Sequence, residues 1–332
     1  MKLSEITTIR TGGEARHYFE IGNLKELEKA VRIAKEENLP VLVVGEGSNV
    51  LISDDPVDRV VIKLKNDEIV EEELDGEVRV KAGGGLKWDK FVNWCVDRGY
   101  QGIECLALIP GLTGAAPVQN IGAYGQELSD TFVELEAYDT KSEKLVVFDK
   151  KKVKFGYRDS VFKRSENDGR YIIFSVTLKL QAGGKPTVIY KALQDYLNET
   201  DTKNPSLKQV RNAVADIRKS KLEDPKSKAN AGSFFKNPIV NKTKLNELQK
   251  QYPNLPSFIL HEKHKIPAGW LIEKAGWRGK RYKNVGVSDK HALILVNHGK
   301  GTARQIKELV EKIRSDVEGK FGIVLEQEVR NY

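Results

Sequence analysis

The chain has 332 residues, and its 55 Lys plus Arg against 47 Asp plus Glu give a net charge of +8 spread along its length. With 39% apolar and 31% charged residues it is neither disordered nor collagen-like, and its length predicts two or three domains. Apolar runs such as Leu42–Val44 and Ala292–Val296 fall far short of the roughly 20 residues that span a bilayer, no basic run interleaves with aromatics as in nucleic-acid binders, and Met1–Arg10 lacks the apolar centre of a secretory signal, so a cytoplasmic protein without membrane or nucleic-acid partners is expected.

Leu24, Leu27, Val31 and Ala34 recur at helical spacing, and Pro40 separates them from the run Val41–Val44, which predicts a helix followed by a buried strand. Gly45-Glu46-Gly47-Ser48-Asn49 then leads into Val50-Leu51-Ile52, a second strand-like run, with Val50 where a dinucleotide fingerprint needs its third glycine. No helix N-terminus is aimed at a phosphate here. A bare turn and a nest of backbone N–H groups around a phosphate both fit these five residues. Val78–Ala82 alternates as a strand, Gly83-Gly84-Gly85 breaks it, and Trp88, Phe91, Val92 and Cys95 mark a helix ended by Gly99, with Cys95 in the core. Pro110–Gly125 carries Gly111, Gly114, Gly122 and Gly125 and little charge. It reads either as a buried connection or as backbone pressed against something flat, since glycine removes the Cβ that would hold a ligand away. Strands are predicted at Phe132–Tyr138, Leu145–Phe148 and Tyr171–Leu180, and Ser206 opens a helix through Val210, Ala213, Val214 and Ile217. Lys219–Asn230, charged and containing Pro225, is the candidate linker. Beyond it, Trp270–Ala275 predicts a helix, Ala292–Val296 a strand, Thr302–Val317 an amphipathic helix and Gly322–Tyr332 a strand.

On that last strand, alternation places Glu326, Glu328 and Arg330 on one face, as the solvated side of an edge or as a pair of working carboxylates. Arg158, in Tyr157-Arg158-Asp159-Ser160, can pair with Asp159 or clamp a substrate carboxylate through two N–H groups. Ser233 precedes Phe234-Phe235. It is either a cap or turn residue, or a proton donor whose aromatic neighbours exclude water. Of five histidines, His17, His261, His264, His291 and His298, only His261 and His264 are close, and they lack acidic partners in metal order. Cys95 and Cys105 cannot make a four-ligand zinc site, so no metal is expected.

Taken together and in order, Arg10-Thr11-Gly12-Gly13, Gly45–Asn49, Ile109-Pro110-Gly111, Gln119–Gly125, Gly156–Ser160, Gly232–Pro238, Ala268–Ile272 and Leu325–Arg330 give a chain that resembles, over nearly its whole length, the UDP-N-acetylenolpyruvoylglucosamine reductase (UDP-N-acetylmuramate dehydrogenase) family. The resemblance implies an α+β fold of the vanillyl-alcohol-oxidase (PCMH) type. One FAD-binding subdomain would comprise residues 1–66 joined by 326–332, a second 67–222, and a C-terminal α+β substrate-binding domain 223–325. It implies non-covalent FAD, NADPH as co-substrate, and reduction of UDP-N-acetylglucosamine enolpyruvate to UDP-N-acetylmuramate for peptidoglycan precursors, by a monomer. Gly45, Gly47, Ser48 and Asn49 would hold the pyrophosphate. Ile109, Pro110, Gly111, Gln119, Asn120, Gly122, Ala123 and Tyr124 would run along the flavin, with Arg218 nearby. Residues 186–205 resemble the tyrosine-bearing insertion of one family subtype, with Tyr190 closing over the nucleotide. Tyr157, Lys221, Asn237 and His291 would be further substrate contacts.

The implied chemistry passes a hydride from flavin N5 to C3 of the enolpyruvyl group and a proton from Ser233 to C2. Arg158 and a protonated or proton-sharing Glu328 would polarise the substrate carboxylate, and Lys236 or Arg158 would steady the serine alkoxide. Two positions depart from the family pattern: His291 stands where many members have Gln, and Ala115-Ala116 where some place hydroxyls beside the flavin. A flavin or nucleotide carrier without catalysis is disfavoured by the presence of Ser233, Arg158 and Glu328. A sugar or alcohol oxidase with tethered flavin is disfavoured because neither Cys95 nor His17 lies in a glycine-rich flavin segment.

Overall fold

Asn23 opens the first helix, Leu24–Glu36, by accepting the Glu26 amide at 3.0 Å, while the Glu26 carboxylate takes the Gly22 amide at 2.7 Å. This reciprocal cap is seen in a computed structural model that describes residues 1–74, 77–260 and 262–332; His261 lies outside the described residues. The helix buries Leu27, Ala30, Val31 and Ala34 in one core with Val41 of the strand Val41–Val43 and with Val60, Ile62 and Leu64 of Val57–Leu64. The two strands pair in parallel, and Ala15–Ile21 flanks Val57–Leu64 in a three-stranded sheet.

The chain forms two compact units. The first comprises residue 1 with 15–46 and 58–220, the second 2–14, 47–57 and 221–332. A larger core in the first unit sits on an antiparallel sheet ordered Lys144–Asp149, Phe132–Asp139, Tyr171–Ala182, Glu77–Gly83 and Ile69–Leu74. The helix Trp88–Asp97 inserts Trp88, Phe91, Val92 and Cys95 into it, and such side chains contribute about 1.5–3 kcal/mol each on burial. The helix Leu207–Lys221 adds Val210, Ala213, Val214 and Ile217 and continues two residues beyond Lys219, where the linker was expected to start.

In the second unit the strands Ala229–Ser233, Ile294–Asn297, Val285–Val287 and Arg281–Tyr282 form an antiparallel sheet. The helices Ala268–Lys274 and Ala303–Phe321 share its core, the second ending at Gly322 with φ +61°. The C-terminal stretch corrects the expected strand at Gly322–Tyr332. Regular pairing there is confined to Arg330–Asn331, parallel to Val50–Leu51, plus a single bridge between Gln327 and Phe235. Alternating burial survives, with Ile323, Leu325 and Val329 inside, because the stretch runs extended over the core without a continuous ladder. No helix among the described residues is long and apolar enough to cross a membrane.

Candidate active site

In the first unit the segment expected along a flavin is held by its backbone. Leu108, at φ +56°, donates its amide to Asp89 Oδ1 at 2.6 Å; Gly111 donates to Glu46 Oε2 at 2.9 Å, and Lys87 Nζ pairs with Glu46 Oε1 at 3.0 Å. Asp89 in turn accepts Arg211 Nη2 at 2.9 Å. Residues 113–119 coil as a 3-10 helix, and Asn120, at φ +45°, ends it. The buried Asn120 amide donates to Glu127 at 2.9 Å and accepts the Ser129 amide at 2.9 Å, which supports a left-handed conformation costly for a side chain other than glycine. Asp89 and Glu46 were not singled out from the sequence. A carboxylate between two glycines was the only signal for Glu46, and Asp89 lies in a first helical turn where acids are ordinary.

Arg158 occupies the same unusual region, φ +52°, at the tip of the turn bridged between Gly156 and Asp159. Its Nη2 donates to the Gly122 carbonyl at 2.6 Å, and its guanidinium lies 5.4 Å from the Tyr157 ring. A Cβ on Gly122 would stand 2.9 Å from Glu127 Cγ and 3.0 Å from Arg158 Nη1, so any larger residue would have to shift both side chains. Tyr190 meets Tyr124 edge-on, ring centroids 5.3 Å apart, and Gly125 leaves room for Ile189, whose Cγ1 a Cβ would meet at 2.6 Å. The expected loop 186–205 holds the helix Lys191–Glu199.

The fit to a flavin can be tested on Arg218. Its Nε is sealed from water and has no hydrogen-bond partner, and among the described residues no acceptor takes its guanidinium. Burial, opposed by Tyr124 and Asp89, holds its pKa below the ordinary arginine value, and burial pushes the Tyr124 phenol up. An arginine this far from satisfaction calls for an acceptor from outside the chain. A flavin ring offers carbonyl and ring-nitrogen acceptors, so the residues of the first unit fit FAD.

In the second unit, Ser233 ends its strand after a bulge, next to Gly232 at φ +72°. Beyond it the chain pairs with the C-terminal stretch: Glu328 donates its amide to the Phe234 carbonyl and Lys236 donates its own to Glu326, both at 2.9 Å. Ser233 and Glu328 thus lie on adjoining segments. Ser233 is half-buried, and its hydroxyl has no partner among the described residues. Phe234 and Phe235 go into the core of the unit. Lys236 pairs with Glu326, which commits one of the two cations considered for the serine alkoxide. Asn237 Oδ1 accepts the Ala268 amide at 2.9 Å and so starts the helix Ala268–Lys274, while Lys221 ends its own helix exposed. His291 Nδ1 accepts the Leu293 amide at 3.2 Å, and burial first, then Arg278 and Lys221, lowers its pKa below 6.5. Gly47, at φ +63°, backs onto Ile6, whose carbonyl would stand 2.2 Å from an added Cβ; the glycine is required by packing. Gly45 faces Leu112 in the first unit at ordinary contact distance.

An α+β chain with an unsatisfied arginine beside glycine-tight backbone, and a serine and a carboxylate on adjoining segments, is a flavin-dependent oxidoreductase in class. Residues 15–148 match the family described as FAD binding domain, and residues 224–332 match UDP-N-acetylenolpyruvoylglucosamine reductase, C-terminal domain. The UDP-N-acetylenolpyruvoylglucosamine reductase of Pseudomonas aeruginosa is 42% identical over 310 residues, covering 92% of this chain and 90% of that protein; that of Bdellovibrio bacteriovorus is 41% identical over 330 residues, covering 98% and 96%. The crystal structure of the enzyme from Thermus caldophilus has the same fold, with a TM-score of 0.70 and 24% identity over 100% of this chain and 97% of that one. The chain belongs to the UDP-N-acetylenolpyruvoylglucosamine reductase family, and its fold is the α+β, vanillyl-alcohol-oxidase type that the resemblance implied.

Proposed function

We propose that the chain reduces UDP-N-acetylglucosamine enolpyruvate to UDP-N-acetylmuramate, with NADPH as co-substrate and FAD bound non-covalently, and that it does so as a cytoplasmic monomer supplying peptidoglycan precursors. Besides membership of the family, the observation that carries this reading is the uncommitted Ser233 hydroxyl on a segment joined directly to that of Glu328. Residues 1–66 with 326–332, and 67–222, form the FAD-binding subdomains; 223–325 receive the substrate.

Held in its subdomains, FAD would supply the two-electron chemistry by which a hydride passes from NADPH to C3 of the enolpyruvyl group. Arg158 and Glu328 bind the substrate carboxylate, next to C2 where negative charge gathers, and groups already aimed at developing charge are worth several kcal/mol (roughly 3–4). The Ser233 hydroxyl gives its proton to C2, a carbon basic enough to take it from an alcohol. With Lys236 committed to Glu326, stabilising the alkoxide falls to Arg158. Gly45, Gly47, Ser48 and Asn49 hold the pyrophosphate, Ile109–Gly111 and Gln119–Tyr124 line the flavin, and Arg218 donates to it. Tyr157, Tyr190, Lys221, Asn237 and His291 bind the substrate, Lys221 as a point charge for phosphate.

The visible spectrum of the purified protein tests this. Flavin bands that bleach with anaerobic NADPH and return on adding the enolpyruvyl substrate are expected. A protein that holds no flavin, or whose reduced bands persist with the substrate, would overturn it.

A further inference from the structure

Glu104 is fully buried, yet among the described residues no cation pairs with it. Its carboxylate accepts two backbone amides, from Gly102 at 2.9 Å and from Thr187 at 2.8 Å. Thr187 is tied at every polar atom. Its hydroxyl accepts Gln126 Nε2 at 3.0 Å and Gln101 Nε2 at 3.2 Å, and its carbonyl accepts the Cys105 thiol at 3.3 Å. A buried carboxylate is costly to keep without a cation, and charge-assisted bonds to two amides offset that cost. Four neighbours converging on one threonine at the start of an exposed segment make it an anchor.

The anchor lies three residues before Tyr190, a span of at most about 10 Å when extended. Between them Ile189 seats over Gly125 and the Tyr190 ring meets Tyr124. Just after Tyr190, its carbonyl accepts the amides of Leu193 and Gln194, and the helix Lys191–Glu199 buries Leu193 and Leu197. The exposed tyrosine is therefore held between two fixed points. A binding side chain already restrained when free loses less conformational entropy when the ligand arrives.

We propose that Glu104 is a positioning residue for substrate binding, acting through Thr187 to hold Tyr190 where the nucleotide part of the substrate meets it. This rests on the reading of Tyr190 as a substrate contact. Glu104 itself touches neither substrate nor flavin.

The test is a double-mutant cycle on the FAD-loaded protein, reading the affinity for the enolpyruvyl substrate and, separately, the rate of flavin reduction by NADPH. Gln in place of Glu104 offers one acceptor where two amides need one each, so E104Q is expected to weaken substrate affinity about tenfold with FAD content and flavin reduction unchanged. In a Tyr190→Ala background E104Q should have no further effect. Should E104Q fail to fold, Glu104→Asp, which keeps both acceptor oxygens but draws them back from the two amides by one methylene, replaces it with the same expected pattern. Equal weakening by E104Q with and without Tyr190, or unaltered affinity in a folded E104Q protein, would overturn the proposal. If Tyr190→Ala alone leaves affinity unchanged, the assignment of Tyr190 fails first, and the role of Glu104 falls with it.

Discussion

The two units hold their candidate residues by opposite means. In the first, Leu108, Asn120, Tyr124 and Arg158 all take left-handed backbone conformations, at φ +56°, +45°, +49° and +52°, each costing about 1–3 kcal/mol. Side-chain hydrogen bonds hold three of them: Asp89 under Leu108, the Asn120 amide on Glu127 and Ser129, and Arg158 on the Gly122 carbonyl. In the second, Ser233 and Glu328 lie on extended segments joined by ordinary backbone bonds, strained only at Gly232, where glycine removes the cost. Shaped backbone suits a flat, tightly bound cofactor, whereas extended segments tied by individual backbone bonds suit reactive groups that must keep a fixed spacing. Changes at the shaped backbone that lines the cofactor should therefore register as binding, and changes at Ser233 and Glu328 as rate.

The strongest challenge to that division is Ser233→Ala. Flavin reduction by NADPH should persist while reoxidation by substrate slows by about 10²–10⁴, measured by stopped flow; a weaker substrate affinity with an unaltered rate would place Ser233 on the binding side instead. Glu328→Gln should lower kcat by about 10²–10³ with KM nearly unchanged, whereas a rise confined to KM would signal uniform binding. Arg218→Met probes the other unit, where two effects of opposite sign are expected. FAD affinity should fall about 10- to 100-fold on reconstitution of the apoprotein, while the apoprotein itself melts higher, having lost an unsatisfied buried donor. A lower melting temperature for that apoprotein would mean that the arginine is satisfied within the chain. Tyr190→Ala should weaken substrate affinity about tenfold, read by titration of the oxidised enzyme.

Much of this was legible in the sequence because periodicity reports burial directly. The Trp88, Phe91, Val92, Cys95 pattern and the heptad-like run from Ile306 to Val317 became the helices Trp88–Asp97 and Ala303–Phe321. The motif residues were legible for another reason, their joint order. The partners of those residues were not. Asp89, Glu46 and Glu104 act on backbone amides 19, 65 and 83 residues away, and no local pattern marks a carboxylate whose partner is a distant N–H. The expected strand at the C-terminus failed for a related reason, since alternation reports an inside and an outside even where neighbouring segments supply only one bridge and one two-residue ladder.

His291 offers the finest discrimination, because it lies in the second unit and does a structural task there. Its Nδ1 takes the Leu293 amide, and burial together with Arg278 and Lys221 depresses its pKa below 6.5. An imidazole that resists protonation in the folded state but not in the unfolded one makes the unfolded state the better proton binder, so its stabilising effect is complete above pH 6.5 and is lost as pH falls through the folded value. His291→Gln removes the titrating group while leaving an amide oxygen that can accept the Leu293 N–H. The expected outcome is a smaller drop in the urea midpoint between neutral and mildly acid pH than in the parent chain. If both proteins lose stability equally, another group sets the acid limb. At neutral pH the histidine is uncharged, and glutamine can offer the substrate a similar polar contact, so the same substitution should change substrate affinity far less than Tyr190→Ala; a comparable loss would mean that the contact needs the imidazole itself.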